Sequence, residues 1–108
     1  MVQRNVKRCP IRFRDGDCPD EVADIFDHPQ FGDRYTVVYR DVICGTHVGY
    51  RAMSAYPSHP QGIGLYCEWD KWEFSNYRQN NRRKRVKWTD LPEAVRKCVK
   101  GDCNVVSK

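Results

Sequence analysis

Cys44 and His47 stand three residues apart in Cys44-Gly45-Thr46-His47. That spacing lets one turn present a sulfur and an imidazole to the same metal ion. His59 and Cys67, on a neighbouring loop and strand, would have to complete a zinc site. A strong zinc signature has two tight pairs and this chain has one, so no bound metal is expected, and Cys44 and Cys67 read as small buried residues. Cys9 lies beside Lys7, Arg8 and Arg12, and Cys18 precedes an expected helix start. Both settings lower a thiol pKa, but neither cysteine has a local histidine or acid to complete a nucleophilic site. Glu68 and Asp70 are two apart and share one face of a strand, with Glu73 nearby. Paired carboxylates suit acid–base chemistry, yet ion pairing with the neighbouring cations explains them equally well. In His59-Pro60-Gln61-Gly62, proline and glycine fix a rigid turn in which His59 and Gln61 bond loop carbonyls. No constellation meets the geometric roles of an active site. The chain therefore reads as non-enzymatic and without a cofactor.

The strongest chemical signal is electrostatic. Residues 78–87 hold Arg78, Arg82, Arg83, Lys84, Arg85 and Lys87 and no acid. The chain has 19 Lys and Arg against 14 Asp and Glu, a net charge of +5. Without those six cations 13 basic residues would face 14 acidic ones, so the excess charge sits in one segment. Such a run stays on the surface and attracts polyanions or an acidic protein face. Trp69, Trp72, Phe74 and Tyr77 precede it and Trp88 follows it. Arginine and lysine neutralise phosphates, and aromatic rings offer stacking faces to unpaired bases. The candidate site is thus Tyr77, Arg78, Arg82, Arg83, Lys84, Arg85, Lys87 and Trp88. Alternation of Val86, Lys87 and Trp88 turns Trp88 toward the core and favours Tyr77 as the stacking residue. No helix-turn-helix spacing or RNA-recognition signature is present, so sequence-specific readout is not expected.

At 108 residues the whole chain, 1–108, is expected to form a single domain with a modest core. It carries no apolar run long enough to span a bilayer and no apolar stretch at the N-terminus of the kind a secretory signal requires. A cytoplasmic setting is expected, with Cys9, Cys18, Cys44, Cys67, Cys98 and Cys103 as thiols.

These residues need a scaffold. Ile11 and Phe13 alternate with Arg12 and Arg14, predicting a short strand over 9–14. Pro19 suits a first helical position, and Val22, Ile25 and Phe26 fall at helical spacing before His28-Pro29, predicting a helix. Tyr35 to Ile43 is β-branched and aromatic, predicting a strand, and Val48 to Ala55 returns as its hairpin partner. Leu65 to Trp72 predicts a further strand, 76–81 a loop, and Arg85 to Trp88 a returning strand. Asp90 and Glu93 have capping-box spacing before a helix with Ala94, Val95, Cys98 and Val99 on its apolar face, stopped by Gly101. The expected fold is α+β, a small antiparallel sheet of three to five strands with two short helices packed on one face.

Two stretches carry a resemblance. Ala52-Met53-Ser54 followed by His59-Pro60-Gln61-Gly62, and Trp88-Thr89-Asp90-Leu91-Pro92 opening the last helix, resemble a group of small uncharacterised phage and prophage proteins. The likeness spans roughly residues 35 to 100, and Leu65-Tyr66-Cys67 stands where the group often has Gln-His-Gly. It implies no activity and no site residues, only a phage-type accessory protein in a host-cell cytoplasm. The function expected from the residues and the resemblance together is binding of nucleic acid or a nucleoprotein through 78–88. The alternative is a protein–protein inhibitor docking on an acidic host or defence enzyme, and a small metal- or thiol-dependent enzyme comes third.

Overall fold

The computed structural model describes residues 14–43, 47–57, 59 and 62–106. Four antiparallel strands run β1 (Val22–Asp27), β2 (Tyr35–Ile43), β3 (His47–Met53) and β4 (Ile63–Asp70). They form one sheet in the order β1-β2-β3-β4, a plain meander. Helix α1 (Lys71–Asn80) follows β4 directly. Two single 3₁₀ turns, Arg82–Lys84 and Trp88–Asp90, lead to the final helix α2 (Glu93–Val106). This is the expected α+β fold. The expected strand over 9–14 lies outside the described residues except for Arg14, which is not in a strand.

The register sorts side chains onto two faces, because successive strand residues point to opposite sides. On one face Val22, Ile25, Tyr35, Val37, Tyr39 and Met53 pack against Trp88, Leu91, Val95, Val99 and Cys103. On the other, Ala23, Phe26, Val38 and Val48 pack against Phe74 of α1, with Tyr50, Trp69 and Tyr77 around them. The two helices therefore cover opposite faces of the sheet instead of sharing one. The first face also needs a gap. A Cβ at Gly49 would lie 1.8 Å from the Tyr66 hydroxyl, so the missing side chain lets Tyr66 lie across β3.

Several local expectations are corrected. The segment after Pro19 is strand β1 and not a helix. Val22 to Phe26 are all buried, and a strand covered on both faces shows no alternation that would separate it from a short helix. The supposed loop at 76–81 is mostly α1, and β4 ends at Asp70, two residues before Trp72. Asp70 starts that helix through a capping box. Its Oδ1 accepts from the Glu73 N–H at 2.7 Å, and Glu73 Oε1 accepts from the Asp70 N–H at 3.0 Å.

At the other helix the expected cap fails. Asp90 Oδ2 accepts from the Lys87 N–H at 3.3 Å and so closes the preceding 3₁₀ turn. Gly101 does not stop α2, which continues to Val106. The expected returning strand at 85–88 shrinks to one bridge between Arg85 and Phe26, plus a hydrogen bond from the Val86 N–H to the Ile25 carbonyl at 3.2 Å. The turn Asp15-Gly16-Asp17 then ties the segment before β1 to this region. Asp15 Oδ1 accepts from the Thr89 N–H at 3.0 Å, and Asp17 Oδ1 accepts from Trp88 Nε1 at 2.8 Å.

Candidate functional site

Helix α1 and the turn after it bring Arg78 to Asp24 of β1 and Arg85 opposite Phe26 at the strand's outer edge. Phe74 is the buried residue of α1 and anchors it to the sheet. One turn on, Tyr77 enters an aromatic layer. Its ring meets Phe26 edge-on at 5.0 Å and Trp69 at 4.6 Å, while Trp69 stacks on Tyr50 at 3.6 Å. The Tyr77 hydroxyl is 2.7 Å from His28 Nε2. Burial, and then the charge of Lys84, hold His28 below its ordinary pKa.

Arg78 and Arg85 converge on Asp24, a fully buried carboxylate of β1. Arg78 Nε donates to Asp24 Oδ2 at 3.1 Å and Arg85 Nε donates to the same oxygen at 3.0 Å. Burial raises the Asp24 pKa, with Arg85 and then Arg78 opposing it. A buried carboxylate without counter-charges would be costly, so these two arginines are structural as well as cationic. Arg82, Arg83, Lys84 and Lys87 remain exposed.

A cavity of about 360 Å³ opens between α1 and the strap that follows it, lined by Phe74, Ser75, Arg78, Gln79, Arg82 and Arg85. Trp72 sits one turn before Ser75 and is 74% exposed.

The eight expected site residues therefore divide. Arg82, Arg83, Lys84 and Lys87 form an exposed cationic ridge. Arg78 and Arg85 stand beside it, fixed by Asp24. Tyr77 is committed to the aromatic layer and to His28. Trp88 is 0% exposed within the α2-side core and leaves the candidate site. The residues missed are Asp24 and, lining the cavity, Ser75 and Gln79; Trp72 is one of the flanking aromatic residues. Asp24 carried a readable signal, since an acid inside the run Val22–Phe26 demands counter-charges and the cation-rich segment supplies them.

The other chemical candidates separate in space. His47 pairs with Asp70 and Cys67 pairs with Tyr50 across the β3–β4 ladder. The register is regular between them, so His47 and Cys67 point to opposite faces of the sheet. Cys44 lies outside the described residues, and among the described residues no three His, Cys, Asp or Glu side chains come together around a metal position. Cys18 is not activated. It precedes a strand, and burial pushes its pKa up to about 11. Asp70 and Glu73 serve the α1 cap, while Glu68 is exposed. The loop holding His59 is a tight turn in which the His59 N–H donates to the Tyr56 carbonyl at 3.0 Å. A Cβ on Gly62 would meet that carbonyl oxygen at 2.0 Å. Among the described residues no helix is long and apolar enough to cross a membrane.

Compared with known proteins, the chain matches no family model, no curated protein and no solved structure.

Proposed function

We propose that this protein binds nucleic acid, or a nucleoprotein, through the ridge Arg82, Arg83, Lys84 and Lys87, and that it acts without catalysis. The observation that carries this reading is the exposure of four cations within six residues that contain no acid. Arg78 and Arg85 stay beside them, and Asp24 cancels only part of their charge. A polyanion gains by releasing counterions to such a surface, and no base-specific contact is needed. Tyr77 and Trp88 take no part in stacking. In keeping with the phage resemblance, the proposed setting is the cytoplasm of a host cell.

Replacing Arg82, Arg83, Lys84 and Lys87 together by serine tests the reading. Binding of a duplex oligonucleotide should lose about three to four units of salt slope, while the thermal melt stays that of the parent. Arg85 is kept in that variant because it holds Asp24. Absence of any nucleic-acid retention at low salt would sink the reading. Recovery of one protein partner from lysate after nuclease treatment would favour docking on an acidic protein face instead.

A further inference from the structure

The cavity beside the ridge is built differently from a surface that merely tracks a backbone. Three guanidinium groups, of Arg78, Arg82 and Arg85, line one concavity. Ser75 and Gln79 add neutral hydrogen-bonding groups to its wall, and no acid lines it. Asp24 holds Arg78 through Nε and Arg85 through both Nε and Nη2, so both guanidinium planes have little freedom left to lose on binding. The Arg78 guanidinium also lies 5.2 Å from the Phe74 ring centre, a second constraint on its plane. Arg82 has no part in the Asp24 pair and is exposed at the rim. Three guanidinium charges against one buried carboxylate leave a local excess of two, which matches a phosphate monoester better than the single charge of a diester. A planar guanidinium fork suits phosphate oxygens. The depression is open to solvent and wide enough to admit a phosphate.

Trp72 indicates what the phosphate is attached to. It lies three residues before Ser75, so the two are neighbours on the helix surface. Its ring is exposed and offers the π-face that any base can stack on.

We propose that the cavity lined by Arg78, Arg82, Arg85, Ser75 and Gln79 receives the terminal phosphate of a nucleic-acid strand, with the adjoining base on Trp72. This rests on the nucleic-acid reading above and narrows it from backbone charge to strand ends.

The test compares a short 3′-labelled single strand carrying a 5′-phosphate with the same strand carrying a 5′-hydroxyl, by fluorescence anisotropy. The phosphorylated strand should bind about tenfold tighter, as charge-assisted contacts to one added group imply. Arg82→Gln should erase that preference without changing the melt, whereas Arg83→Gln, outside the cavity, should weaken both strands alike. Trp72→Ala should weaken the phosphorylated strand yet leave competition by inorganic phosphate unchanged. Equal affinity for both strands would overturn the inference and leave the ridge reading standing. Failure of both strands to bind would remove the ridge reading. The cavity would then be judged by titration with a deoxynucleoside 5′-monophosphate, where no binding overturns it. A phosphoserine peptide that binds as tightly as the phosphorylated strand would overturn the assignment to nucleic acid.

Discussion

Against one face of the sheet, α2 and Trp88 lay Val95, Val99 and Leu91 onto Val22, Ile25 and Val37. Against the other, α1 contributes Phe74 as its buried side chain, and the layer is completed by aromatic rings and by Asp24 between two arginines. The first face is held mainly by apolar burial, which is non-directional, with the Trp88–Asp17 and Tyr39–Asp102 hydrogen bonds at its margin. The second is held by directional contacts that work only in one arrangement. The cations proposed to bind a partner belong to the second face. Its polar framework fixes Arg78 and Arg85 in place, at the cost of a less fully compensated buried carboxylate if either is lost.

The largest effect should come from the apolar face. Trp88→Ala should cost about 3–5 kcal/mol in a denaturant melt, because it empties the centre of that core. A small loss there, with binding lost instead, would move Trp88 back to the interface. Arg85→Ala should cost less, about 1–3 kcal/mol, since Arg78 still reaches the carboxylate. Arg82→Ala, in the same run of charge, should stay within about 0.5 kcal/mol. Equal costs at Arg85 and Arg82 would mean that Asp24 is not held as described.

A third comparison uses acid. Lys100, and then Trp88 Nε1, lower the Asp17 pKa from 3.8 to about 2. A carboxylate with a depressed folded pKa stabilises above its unfolded value, and that stability is lost as pH falls toward the folded one. Melting temperature should therefore drop between about pH 4 and pH 2 through this group. Asp17→Asn should flatten part of that fall, read as the difference between the two proteins' melting curves. Asp90→Ala should have the smallest effect, below about 0.5 kcal/mol, because an exposed side chain closing one 3₁₀ turn is an ordinary surface position. A cost above 1 kcal/mol, the size typical of a true N-cap, would show that Asp90 serves α2 after all.

The contrast between the faces also decides what the sequence disclosed. β2, β3 and β4 were legible because β-branched and aromatic residues mark them and the Val48–Ala55 stretch alternates. The apolar face of α2 was legible because Val95 and Val99 repeat at one helical turn. β1 was not, since Val22, Ile25 and Phe26 fit helical spacing as well as a strand buried on both sides. α1 was hidden by its composition: Trp72, Ser75, Asn76, Gln79 and Asn80 give little apolar periodicity. Its real signal was Asp70 with Glu73 three residues on. The same spacing at Asp90 and Glu93 predicts a helix start, but the Pro92 carbonyl accepts the first helical bond there, from the Arg96 N–H at 3.0 Å. The cations were plain in the sequence. Their division into exposed and committed was not, because it depends on Asp24, fifty-four residues before Arg78.

The bridge from Arg85 to Phe26 and the Val86–Ile25 hydrogen bond have one more effect. β1 is an outer strand of the meander, and an outer strand with open amides is a template for another chain to join. The strap occupies part of that edge, at Arg85 and Val86. Where the strap lies on β1, the edge is closed to strand addition by another chain.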